Sequence, residues 1–349
     1  MTNPVTDFLE RFLDAGEILI TPGLEVAEGY VPLPLRRLNV NREVPFNVYF
    51  KMKKRGHENP HFIKGCARGE VYLEEWHQKL LRLRIPCVYV TLEEMHLVMH
   101  YVNHYLELTL KEDVKSNLEK GVQVCDVMQL WTMNFFNNEE ARTAEEVRVA
   151  LKFLGSLLPL IHGDDQSIWD LMKIGRHKST RLYAHCLNVC LLGMAFTGYL
   201  GWRREKILGF GLGALIHDIG LARVPLAILE KKGGLTPEEM LKIKRHPIDG
   251  GRMVQGFANL RWEALQMVLQ HHENGDGTGY PLGLKTPHIH TWARVCRILD
   301  SYEAMTHKRS WREAMDPIDA IWTMHSDWKK SKLFDQNYLA AFIKFLAGG

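Results

Sequence analysis

The sequence predicts a mainly α protein of 349 residues, in which an all-α C-terminal bundle follows a small α+β N-terminal module. Three observations lead there. From Ile168 onward every long apolar pattern has a helical period and none alternates as a strand does. Before residue 110, Val44–Met52 and Ile85–Val90 do alternate and are rich in β-branched and aromatic residues. A hydrophobic fraction of 46% and an aromatic fraction of 10% suffice for the core that this length can bury.

Taken in order, residues 1–110 read as an accessory or regulatory module. Strand 44–52 comes first, then a helix from Glu74 to Leu83, strand 85–90, and a helix from Leu92 to Leu110. That last helix carries His96, His100 and His104 at four-residue spacing, which can clamp a metal. No acidic or cysteine partner accompanies the stripe, and Tyr101 and Tyr105 point instead to a packed amphipathic face. Residues 111–165 read as a helical connector, charged from Glu139 to Glu146 and apolar from Val147 to Leu158. Such a segment suits dimerisation, signal transmission or plain packing. Residues 166–349 form the third segment.

Charge and cysteines narrow the partners. A net charge of +3 is too mild to argue for a nucleic-acid polymer. Six cysteines show no C-x-x-C spacing, and Cys186 and Cys190 are expected to pack as small hydrophobes. Met1 to Glu10 lacks the basic start and apolar core of a signal peptide. No run approaches the roughly 20 apolar residues that cross a bilayer, so the expectation is a soluble, reduced, cytoplasmic protein without a membrane partner.

The chemistry-bearing residues lie in the third segment. His271-His272 close the apolar run Leu265–Leu269 and lead into Glu273-Asn274-Gly275-Asp276-Gly277-Thr278-Gly279-Tyr280-Pro281, a glycine-rich loop. Imidazole is the commonest metal ligand near neutral pH. His217-Asp218 ends the run Phe210–Ile216, and a buried carboxylate needs a partner or a metal. Adjacent helical residues point about 100° apart, so the two can ligate one ion from different sides, or the carboxylate can bridge two. His185 lies among Tyr183, Cys186 and Val189, His246 precedes Pro247 at a helix boundary, and Asp300 follows Val295–Leu299.

This ordered set resembles the HD-GYP branch of the HD phosphohydrolase superfamily. The resemblance extends to Ile219-Gly220 and Pro225, to Ile228–Lys231 and Leu235–Glu239, to Gly250, to the whole His-His-Glu to Gly-Tyr-Pro string, and to Ala304-Met305-Thr306 with Arg309. It covers the chain from about residue 165. The Arg36-Arg37 pair resembles the start of a PilZ cyclic-dinucleotide-binding domain, but that family's later Asp/Asn-x-Ser-x-x-Gly element is not evident.

The HD-GYP resemblance implies metal-assisted hydrolysis of a cyclic dinucleotide, chiefly cyclic di-GMP, to the linear dinucleotide or GMP. Two metals roughly 3.5–4 Å apart can hold a hydroxide between them and stabilise an in-line displacement. By resemblance, His185, His217, Asp218 and Asp300 hold one metal, and Asp218, His246, His271 and His272 the other, with His217 and Asp218 at the catalytic centre. Mixed imidazole and carboxylate shells with open positions suit iron or manganese. Arg309, Arg312, Lys231 and Tyr280 are the expected substrate contacts, and the Gly-Tyr-Pro loop is an alternative docking point for a signalling protein. A homodimer is a further expectation.

Three positions depart from the family. Leu221 stands where a lysine usually follows His-Asp-x-Gly, with Arg223 as a possible substitute, and Trp311 stands where tyrosine is usual. Arg181 occupies the position of a third-metal glutamate, so two metals are expected. The alternatives are a weakened module that senses a cyclic dinucleotide or binds a protein, and a hydrolase of another nucleotide such as cyclic GMP-AMP.

Overall fold

The computed structural model describes residues 18–20, 29–54, 61–163, 169–172, 181–257, 259–308 and 312–348. Arg309 and Trp311, two of the positions singled out above, lie outside the described residues, as does the side chain of Arg181. The chain divides into two compact units, one of the elements up to Lys111 and one of those from Asn117 onward.

The first unit holds a five-stranded antiparallel sheet. Its strands are β1 (Ile18–Ile20), β2 (Tyr30–Pro34), β4 (Val48–Lys54), β5 (His61–Cys66) and β7 (Cys87–Thr91), ordered β1-β4-β7-β2 with β5 also on β4. A separate ribbon pairs β3 (Arg42–Glu43) with β6 (Val71–Tyr72). The expected helices appear as Glu74–Arg82 and Met95–Lys111. In the second of these, His96, His100 and His104 are all exposed, while Tyr101, Val98 and Val102 are buried. The histidine stripe is therefore the solvated face and not the packed one. The Arg36-Arg37 pair ends a 3-10 turn, Leu35–Arg37, directly after β2.

The second unit is helical. Among its described residues no strand occurs, and an isolated bridge joins Asp276 to Lys285. Helix Asn117–Asn137 starts at a capping box of Ser116 and Glu119, which satisfies two otherwise orphaned backbone donors. It packs on Ala144–Gly163, which in turn packs on Arg204–Ile216. Arg204–Ile216 then contacts Trp262–Gln270, and that helix contacts both His246–Val254 and Thr291–Thr306. Pro317–Ser331 and Gln336–Leu346 close the bundle against Thr291–Thr306.

Helix Arg181–Tyr199 corrects one expectation from the sequence. Its window Leu182–Tyr199 is long and apolar enough to cross a membrane, yet 83% of it is buried within the unit. A core helix surrounded on all sides carries the same composition as a bilayer span.

Candidate metal centre

Close helix approach creates the site. Along Arg204–Ile216, a Cβ on Gly213 would sit 3.1 Å from the Ala264 Cβ, and one on Gly209 would sit 2.9 Å from the Trp292 ring. Glycine at these positions lets Trp262–Gln270 and Thr291–Thr306 pack tightly on the helix. His217 and His271 are the C-caps of Arg204–Ile216 and Trp262–Gln270, and their ring centroids meet at 4.9 Å. Two helix C-termini thus turn partial negative charge toward one point, which favours cations. Beyond His217, the turn Ile219–Arg223 lies against the start of His246–Val254. A Cβ on Gly220 would fall 2.0 Å from the His246 carbonyl oxygen, so the place of His246 depends on that glycine.

All seven residues expected from the motifs converge. Ligand atoms of Asp218, His246, His271 and His272 lie within 4.8 Å of one another, as do those of His185, His217 and Asp300. Asp218 faces both groups. Its Oδ1 is 3.1 Å from His246 Nε2 and 3.4 Å from His271 Nε2, while its Oδ2 is 3.4 Å from His217 Nε2 and 3.7 Å from His185 Nε2. Asp300 Oδ1 is 3.1 Å from His185 Nε2.

The imidazoles are oriented from behind. His217 Nδ1 donates to the Ala214 carbonyl at 2.6 Å, His246 Nδ1 to Ile243 at 2.7 Å, and His271 Nδ1 to Val268 at 3.0 Å. A carbonyl only accepts, so in each ring the proton sits on Nδ1 and Nε2 presents a lone pair to the centre. His217 Nε2 is buried and makes no hydrogen bond. Buried imidazole nitrogens turned toward shared carboxylates are the chemistry of a divalent metal site. The residues fit two such ions.

Electrostatics agrees with that fit. Burial holds His271 below the ordinary histidine range and, reinforced by the neighbouring imidazoles, holds His272 well below it. Burial alone would raise both aspartates. The neighbouring histidines, His217 foremost, instead bring Asp218 well down, and His185 brings Asp300 down. In His217 the Asp218 carboxylate outweighs burial and pulls the imidazole up.

The expected substrate contacts are placed less uniformly. Tyr280 stacks on His272, with centroids 4.7 Å apart and planes 24° apart, so the loop tyrosine caps one histidine group. Lys231 is paired with Glu239 at 2.6 Å, where Glu239 also closes the capping box of helix Pro237–Lys244. Arg312 is exposed and donates to the Ala304 carbonyl. Leu221 is half-buried and Arg223 exposed.

Three further residues belong to this site. Glu303 is buried and accepts from His185 Nδ1, and its Oε1 accepts from Asn188 Nδ2 at 3.0 Å. It lies three residues past Asp300 on the same helix, so the spacing was a usable signal. Glu273, also buried, accepts from the backbone N–H of Leu282 at 2.6 Å and of Leu284 at 2.8 Å, which ties down the Gly-Tyr-Pro loop. The Cys186 Sγ stands within 4.8 Å of His217 and Asp218 ligand atoms, and burial pushes its thiol well above the usual range. Its sequence neighbourhood signals only packing.

Residues 191–337 match the HD domain family. A cyclic di-GMP phosphodiesterase of Pseudomonas aeruginosa is 36% identical over 162 residues, which is 46% of this chain and 38% of that protein. A cyclic di-GMP phosphodiesterase response regulator of Xanthomonas campestris is 32% identical over 146 residues, 42% of this chain and 38% of its own length. A 3'3'-cGAMP-specific phosphodiesterase of Vibrio cholerae is 34% identical over 159 residues, 46% of this chain and 37% of its own length. The chain thus spans well under half the length of these relatives. Among solved structures, an HDG"Y"P protein from Bdellovibrio bacteriovorus shares the fold with a TM-score of 0.66 at 21% identity, covering 91% of this chain and 100% of that one.

Proposed function

We propose that this chain, a member of the HD-GYP branch of the HD-domain family, is a metal-dependent phosphodiesterase that hydrolyses cyclic di-GMP. The observation that carries the reading is the divided carboxylate of Asp218, one oxygen toward His246 and His271 and the other toward His217 and His185. A carboxylate so placed suits a bridge between two cations. His185, His217 and Asp300 would complete one shell and His246, His271 and His272 the other, with iron or manganese favoured by the imidazole and carboxylate donors. Divalent cations held there would supply a nucleophilic water near neutral pH and a Lewis acid for the phosphodiester.

The chain's own residues do the rest. The Nδ1 hydrogen bonds of His217, His246 and His271 fix which nitrogen faces the centre, and Glu303 does the same for His185. Asp218 and Asp300, held ionised by their neighbours, keep the negative charge that retains cations at working pH. Tyr280 covers His272 and offers a ring face to a base. Leu282, two residues further along the loop and 64% exposed, supports a second use of this edge as a docking point for a signalling protein. Residues 166–349 would be the catalytic domain of a cytoplasmic protein, with 1–110 accessory, 111–165 connecting, and the active form a homodimer.

The test is turnover by metal-reconstituted protein of cyclic di-GMP and of cyclic GMP-AMP, with products separated by chromatography. Linear dinucleotide or GMP from cyclic di-GMP is expected. Preferential cleavage of cyclic GMP-AMP, which its similarity to the Vibrio cholerae relative keeps in view, would move the substrate. Tight binding without cleavage of either would make the chain a sensor.

A further inference from the structure

We infer that Arg297 and Lys244 are the substrate-phosphate contacts of this site, filling the role left open by Leu221. The inference rests on the phosphodiesterase reading above and names the residues that would hold the anion.

Arg297 lies three residues before Asp300 on helix Thr291–Thr306, so both project from one helical face. Its guanidinium is half-buried and tightly held. Nε and Nη2 donate to Asn274 Oδ1 at 3.2 and 3.1 Å, Nη1 donates to Ser301 Oγ at 2.7 Å, and the group lies 5.5 Å from the Phe334 ring. All of these partners are neutral. Among the described residues no carboxylate forms an ion pair with Arg297. A partly desolvated cation fixed by neutral acceptors keeps its demand for an anion. Asn274 follows His271-His272-Glu273 directly, so the fork ties this charge to the loop that carries two of the central histidines.

Lys244 meets the same loop from another helix. It ends Pro237–Lys244, two residues before His246, and its Nζ lies 5.6 Å from the centre of the Tyr280 ring. That ring stacks on His272. One cation thus lies over the tyrosine that stacks on His272, and the other is bound to Asn274, two residues after His272. Of the motif-derived cations among the described residues, Lys231 is committed to Glu239 and Arg312 to a backbone carbonyl. A planar guanidinium held in place, joined by a mobile ammonium, suits a phosphodiester whose charge must be met beside the metals.

The test uses full-length, metal-reconstituted protein and the variants Arg297→Met, Arg297→Lys and Lys244→Met. Inorganic phosphate is titrated calorimetrically, cyclic di-GMP turnover is measured, and metal per chain is assayed throughout. Arg297→Met and Lys244→Met are each expected to weaken phosphate binding about tenfold or more and to raise KM for cyclic di-GMP, with metal content unchanged. Arg297→Lys should recover part of the loss. Lys244 is exposed, so Lys244→Met together with Arg297→Lys decides the matter if Arg297→Met loses metal. Phosphate affinity unchanged in Lys244→Met and Arg297→Lys, with metal retained, overturns the inference. Phosphate binding that needs both cations, in a protein that cleaves no cyclic dinucleotide, upholds the pair and overturns the phosphodiesterase reading instead.

Discussion

His246 Nε2 and His271 Nε2 face each other at 3.1 Å, although each ring already spends its Nδ1 proton on a backbone carbonyl. No proton is left to join them, so the two lone pairs repel unless a cation lies against both. Metal binding should therefore stabilise the fold markedly, by about 2.7 kcal/mol at a hundredfold excess over Kd. Calorimetric melting with and without a chelator measures this, and an unchanged Tm would contradict it.

The adjacent histidines His271 and His272 give a sign for acid. His271 and His272 are held below the ordinary histidine value of about 6.5, so the unfolded chain binds protons that the folded chain refuses. Metal-free protein should lose stability as pH falls below that value. His217, pulled up by Asp218, acts in the opposite sense but is one group against two. Denaturant melts of chelated protein from neutral pH downward provide the check.

Removing the shared carboxylate should differ from removing one imidazole. Asp218→Ala is expected to lose both ions and all hydrolysis, because each Asp218 oxygen serves a different group. His246→Ala should empty chiefly the group of Asp218, His271 and His272. Elemental analysis per chain separates the two outcomes, and similar modest losses would argue against the arrangement. With Arg181 at the third-metal position, wild type should hold two ions and not three.

Glu303→Gln keeps the size of the side chain but removes the charge behind His185. Metal affinity should fall about 10–100-fold, the usual cost of losing such an outer carboxylate. Competition with a chromogenic chelator reads it, with circular dichroism confirming that the fold persists. The effect should concentrate on the ion held by His185, His217 and Asp300.

Leu221→Lys tests whether the missing motif lysine limits the proposed turnover. A vacant phosphate contact would make the substitution favourable by about 1–3 kcal/mol, as for a charge-assisted hydrogen bond. With Arg297 and Lys244 already supplying positive charge, turnover should instead stay level or drop through like-charge crowding. A clear gain in turnover at constant metal content would show that these two cations do not compensate.

Much of the candidate metal centre was legible because metal chemistry admits few residue types. His217-Asp218 and His271-His272 stand at the ends of apolar runs, and such runs become helices whose C-termini are buried. The helical period after Ile168 likewise survives folding, since it reflects which faces enter the core. Contacts made at long range left weaker traces. Glu303 reads as one more helical carboxylate until His185, 118 residues earlier, is brought against it. Lys231 matched a motif, but a local pairing with Glu239 decides its place. The apolar stretch Leu182–Tyr199 shows the limit of composition, because a fully surrounded core helix and a bilayer span are written alike.

Anomalous diffraction from crystals of the metal-reconstituted protein tests the central claim most directly. The account predicts two peaks roughly 3.5–4 Å apart, the spacing of a two-metal phosphodiester site, with one oxygen of Asp218 on each. One peak should lie among His185, His217 and Asp300, and the other among His246, His271 and His272. A single peak, or two peaks that do not share Asp218, would contradict it.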